Sequence, residues 1–99
     1  MKETLKPTSV NIRTEMREMD GVGYKYDLTM RESLHIASYG IPLYSIAVSM
    51  RTDDGQTTSA NAVDIFASSD KAIAFFEKLV ANLVTPIDLP YVIEDELSK

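Results

Sequence analysis

Few side chains in this chain could do chemistry. The one histidine, His35, stands between Ser33 and Ser38, and the chain carries 15 Asp and Glu residues, so the parts of a Ser–His–Asp assembly are present. No nucleophile-elbow motif accompanies them, and a histidine beside a turn or on the outer face of a strand explains the same residues without catalysis. Asp53, Asp54 and Asp64 bracket a loop in the manner of a calcium site. An EF-hand beginning at Asp53 would need an oxygen ligand where Gly55 stands and a glycine where Thr58 stands, so the spacing fails. Glu94, Asp95 and Glu96 fan out over different faces of a helix and cannot all grip one cation. They read as a solvated acidic face, opposed to the helix dipole unless Lys99 or a cationic partner offsets them.

The tyrosines make up most of the aromatic content. Tyr24, Tyr26, Tyr39, Tyr44 and Tyr91 could stack bases if a basic stripe ran beside them. None does, and Tyr24 and Tyr26 share the parity of Leu28 and Met30, which points them into a core. "DGVG" has neither the length nor the lysine of a phosphate-binding loop. No catalytic residue, metal ligand or cofactor is therefore expected.

The elements that would hold these residues can be read from composition and period. A chain of 99 residues, 44% hydrophobic and 25% charged, fits one soluble domain over residues 1–99, with residues 1–7 frayed. No run reaches the roughly 18 apolar residues of a membrane span, and "MKETLKPTSV" lacks the apolar stretch of a signal peptide, so a cytoplasmic location is expected. The absence of cysteine removes disulfides, thiol catalysis and thiolate metal sites. Residues 1–50 balance six cations against six anions, whereas residues 51–99 set four against nine. The net charge of −5 thus lies wholly in the second half, which argues against binding a phosphate backbone.

Period two governs the first two-thirds. Val10, Ile12 and Met16 alternate with polar residues, "DGVG" interrupts, and Tyr24, Tyr26, Leu28 and Met30 resume the alternation. Both apolar sets are even-numbered, so this hairpin needs an odd loop or a bulge to place them on one face, with Gly21 and Gly23 available for positive φ. Asp54-Gly55 marks a second hairpin. A two-residue loop there sets Asp53 opposite Gln56 and pairs Met50 with Ser59, Val48 with Asn61, Ile46 with Val63 and Tyr44 with Ile65. The other face then gathers Leu43, Ser45, Ala47, Ser49, Ala60, Ala62, Asp64 and Phe66. "ESLHIASYGIP", between the hairpins, is left open in shape, although Gly40 and Pro42 mark a turn or a strand edge.

Near Ser69 the period becomes helical. Ile73, Phe76, Leu79, Val80 and Leu83 form one stripe, with Ser69 as N-cap and Asp70 favouring the dipole, so the spacing predicts a helix over 70–83 that stops before Thr85-Pro86. Asp88 can cap a second helix with Pro90 in its first turn and Ile87 stapled onto Val92. Its stripe of Leu89, Val92, Ile93 and Leu97 is too short to be stable alone and must dock on the sheet or the first helix.

"YGI" at 39–41, "DI" at 64–65 ahead of a serine-capped helix, and above all "NLVTPIDLPYVIEDEL" at 82–97 resemble a group of short bacterial proteins known only as a domain of unknown function. Those proteins end in a similar Val-Thr-Pro and Val-Ile/Val-Glu-Asp pattern. The resemblance spans most of residues 24–97, is specific in its last third, and departs from the pattern at Pro90. It implies a bacterial, cytosolic origin and transfers no catalytic residue.

The resulting fold class is α+β: a four-stranded, mainly antiparallel sheet of two hairpins, covered on one face by a helix and a short final helix. Such a layout leaves a sheet face and two edges for a partner. The leading reading is a non-enzymatic interaction or regulatory module, its partner an unidentified protein or a second copy, with Ser45, Ala47, Ser49, Ala60 and Ala62 as the surface that allows close approach. Nucleic acid and membrane are not expected partners. Two alternatives come from other classes: a small-molecule binder or minor enzyme with a sheet–helix pocket using tyrosine hydroxyls and His35, and an acidic inhibitor that imitates nucleic acid.

Overall fold

The computed structural model describes residues 9–34 and 39–99. Four strands run β1 (Val10–Met19), β2 (Val22–Glu32), β3 (Pro42–Arg51) and β4 (Thr57–Phe66), followed by α1 (Ser69–Ala81) and α2 (Leu89–Leu97). The strands form one sheet in sequence order, each antiparallel to the next. Both helices lie on one face, and the shortest dimension of 18 Å fits one sheet under one helical layer. The predicted α+β layout is the observed one.

A two-residue turn closes the first hairpin. Asp20 and Gly21 both have positive φ, 54° and 81°, the requirement of a type I′ turn, and Met19 pairs with Val22. This even loop sets Arg17, Glu15 and Arg13 opposite Tyr24, Tyr26 and Leu28, and sends Met16 out beside Lys25, 68% exposed. The anticipated bulge is also present. It lies between Asn11 and Arg13 and restores parity only at the end, where Val10 meets Met30. Gly21 supplies the positive φ; Gly23 does not.

The second hairpin corrects the predicted register. Thr52 N–H donates to the Gln56 carbonyl at 2.9 Å and Gly55 N–H to the Thr52 carbonyl at 3.0 Å, so the loop has three residues, a type I turn followed by Gly55 at φ 88°. A two-residue I′ loop would have forced Asp54 as well as Gly55 into positive φ. The three-residue loop asks this of glycine alone, and Asp54 instead accepts from the Thr52 hydroxyl and from Gln56 N–H, which hold its carboxyl below the usual range. Each pair therefore slips by one: Met50 meets Thr58, Val48 meets Ala60 and Ile46 meets Ala62. Ile46 stays buried, but Val63 turns outward, 63% exposed.

A second irregularity, between the Tyr44 and Ile46 pairings, brings Phe66 opposite Tyr44. Asp64 sits here at φ 57°, its N–H donating to Ser45 Oγ at 2.8 Å. Arg31, on β2, reaches across β3 to grip both Asp64 carboxylate oxygens. The ion pair replaces part of the ladder that the bulge gives up.

The core joins Tyr26, Leu28, Tyr44, Ile46 and Val48 to Ala72, Phe75, Phe76, Leu79 and Val80 of α1 and Leu89 of α2. Helix α1 starts one residue before the predicted position, because Ser68, not Ser69, accepts from Lys71 N–H at 3.4 Å. It also ends earlier. The Leu83 N–H bonds to Val80 O and the Val84 N–H to Leu79 O, a Schellman closure with Leu83 at φ 49° in the place glycine usually takes.

The cap of α2 lies upstream of the predicted Asp88, whose side chain makes no cap bond. Thr85 does that work: its hydroxyl accepts from Asp88 N–H at 3.2 Å and its carbonyl from Leu89 N–H at 3.0 Å, with buried Pro86 in the position that needs no donor. Ile87 is 66% exposed, so the predicted staple onto Val92 does not form. Val92 and Ile93 pack on the core as expected, and the buried Tyr26 hydroxyl donates to Val84 O at 3.0 Å, tying the interhelical segment to the sheet.

Candidate interaction surface

The register divides the proposed surface. Ser45, Ala47 and Ser49 stand on the bare face, opposite Thr29, Asp27 and Lys25 of β2. Ala60 and Ala62 do not join them. Opposed to Val48 and Ile46, they lie on the helix side, and Ala60 packs against the core. The one-residue slip that exposes Val63 turns these alanines inward; Ser59 and Asn61 take their places outside.

The other candidate groups fall apart in space or serve the fold. His35 and Ser38 lie outside the described residues, while Ser33 is buried, with backbone bonds to Ile41 and Gly40. Asp54 belongs to a turn and Asp64 to the Arg31 pair. Among the described residues no three His, Cys, Asp or Glu side chains converge as a metal site. Glu96 pairs with Lys78 at 3.6 Å and Lys99 at 3.3 Å, which supplies the anticipated offset at the end of α2 and raises the Lys99 ammonium. Tyr24 and Tyr26 stack with ring centroids 6.5 Å apart on the core side, and burial pushes the Tyr26 phenol up to about 12, with Tyr24 adding to the shift. A groove of about 520 Å³ between α1 and α2 is walled by Phe66, Phe75 and Leu97 and rimmed by Lys71, Lys78 and Lys99. No tyrosine lines it.

The edges of the sheet are where the molecule is least symmetric. On β1, Arg13, Glu15 and Arg17 face the helix layer as a charged ladder. Arg13 bonds Glu77 of α1 at 2.8 Å and Glu15 at 3.1 Å, Arg17 bonds the other Glu15 oxygen at 3.1 Å, and the Arg13 guanidinium lies 5.5 Å from the Phe76 ring centre. Glu77, then Glu15, raises the Arg13 guanidinium; Arg13, then Arg17, lowers the Glu15 carboxyl. Charges and a bulge are the standard protection of an exposed edge.

Strand β4 has neither over most of its length. From Thr57 to Val63 the residues "TTSANAV" include no charge and no proline, until the bulge at Asp64 ends the run. Antiparallel ladders alternate bonded and unbonded pairs. Because Thr52 bonds Gln56, the bonded pairs continue at Met50/Thr58, Val48/Ala60 and Ile46/Ala62. The backbone N–H and C=O groups of Thr57, Ser59, Asn61 and Val63 therefore point away from β3, and among the described strands none lies beyond. Sequence reasoning offers both edges without choosing between them, although the neutral run "TTSANAV" against the charged "NIRTEMRE" is a visible signal.

No curated protein and no solved structure matches the chain. Residues 4–99 match the family described as a family of unknown function (DUF6514), and the chain belongs to that family.

Proposed function

We propose that this chain is a small non-enzymatic interaction or regulatory module of the bacterial cytoplasm, and that its partner adds a strand along β4. The observation that carries this reading is the neutral stretch Thr57–Val63, whose outward backbone groups form a seven-residue template beside a protected opposite edge. Main-chain bonding of this kind needs no pocket and no reactive side chain. Its test is capture by the immobilised chain in two variants. Asn61→Pro removes an N–H that points outward, so the partner should be lost while the fold remains. Ala47→Lys on the bare face should keep the partner. The opposite pattern, loss by Ala47→Lys alone, would assign binding to the face.

A further inference from the structure

We infer that the strand added at β4 comes from a second copy of this chain, giving a two-fold dimer with one continuous eight-stranded sheet. The inference rests on the strand-addition reading and names its occupant. The edge is complementary to itself: an uncharged run meets an uncharged run without like charges in opposition. Its outward residues also select a register. Antiparallel pairing that uses all of Thr57, Ser59, Asn61 and Val63 has one solution, in which Thr57 meets Val63 of the second copy and Ser59 meets Asn61 of the second copy, each twice. Ala60 then falls on the two-fold axis against its own counterpart, at the about 4.5 Å Cα spacing of an unbonded pair, where a methyl group fits. Thr57–Val63 is a β-branched pair and Ser59–Asn61 a hydrogen-bonding one, so each meeting is favourable. Val63, exposed in the single chain, gains a neighbour.

The guarded edge limits the assembly. If both edges were bare, β1 could meet β4 of the next copy head to tail and the sheet would extend without end. Arg13, Glu15, Arg17 and the bulge near Ile12 close that route, so growth stops at two. A two-fold axis normal to an antiparallel sheet keeps both helical layers on one side, and α2, which packs on β4, becomes the helix nearest its copy. Face-to-face stacking is the weaker route, because Asp27 stands opposite Ala47 and Lys25 opposite the neighbouring Ser49, and both would lose water.

Light scattering coupled to size exclusion on the full chain, from micromolar to millimolar, tests this. Wild type and Ala47→Lys should reach twice the 11.0 kDa chain mass. Asn61→Pro and Ser59→Lys should be monomers with unchanged circular dichroism, association weakened at least ~100-fold by the loss of symmetric backbone bonds or the addition of edge charge. A wild type that stays monomeric to millimolar overturns the second copy, and leaves strand addition standing if Asn61→Pro still loses a captured partner. A dimer broken by Ala47→Lys and untouched by Asn61→Pro and Ser59→Lys overturns both.

Discussion

The two edges of this sheet solve one problem in opposite ways. Strand β1 turns Arg13, Glu15 and Arg17 toward the helices and kinks at Ile12, whereas β4 runs uncharged from Thr57 to Val63 with its backbone turned outward. An edge strand unpaired by design carries features that repel another strand. Composition on an edge thus reports on assembly, even where burial reports only on folding.

The largest expected effect comes from the ring on which the β1 guard leans. Phe76 is fully buried and lies under the Arg13 guanidinium, so Phe76→Ala should cost about 3–5 kcal/mol in chemical denaturation and loosen β1 before β4 in hydrogen exchange. A loss under about 1 kcal/mol would show that the helix layer does not hold that edge. Next come the turns that set each edge. Gly21→Ala should cost about 1–2 kcal/mol, since φ is 81° and the new Cβ would stand 2.8 Å from the Asp53 carboxylate oxygens. Gly55→Ala meets open space and should cost only the backbone share, about 1 kcal/mol. Equal losses would mean that the two hairpin ends do not touch.

Alkaline titration probes the core between the edges. The Tyr26 phenol is raised to about 12, so the folded state keeps a proton that the unfolded chain releases near pH 10. Stability should be unaffected by this group below about pH 10 and fall as pH rises through about 12. Tyr26→Phe should remove that slope, at a loss of about 1 kcal/mol from the bond to Val84. The smallest effect on stability belongs to Arg17→Thr, which strips one exposed charge from β1. Arg13, Glu15 and the bulge still guard the edge, so light scattering should show no species larger than a dimer.

Much of the layout is legible in the sequence. The even parity of Tyr24, Tyr26 and Leu28 puts them in the core, and the change of period near Ser69 places α1 and α2 over the sheet. Loop lengths are not legible in the same way. Asp54-Gly55 marks the turn, yet a one-residue difference in loop length swaps the faces, which reverses Val63, Ala60 and Ala62 while leaving Ile46 buried. Thr85 reads as a pre-proline stop, but it also caps α2, two roles compatible in one residue. The neutral run of β4 is visible in the sequence, but side-chain pattern says nothing of backbone direction until the register is known.

Amide hydrogen exchange at residue resolution, followed as a function of protein concentration, reads strand addition at β4 itself. Thr57, Ser59, Asn61 and Val63 should exchange fast in dilute solution and become protected as concentration rises, while the outward amides of β1 stay fast throughout. Exchange at those four positions that is fast at every concentration, or protection that rises on β1 instead, would contradict it.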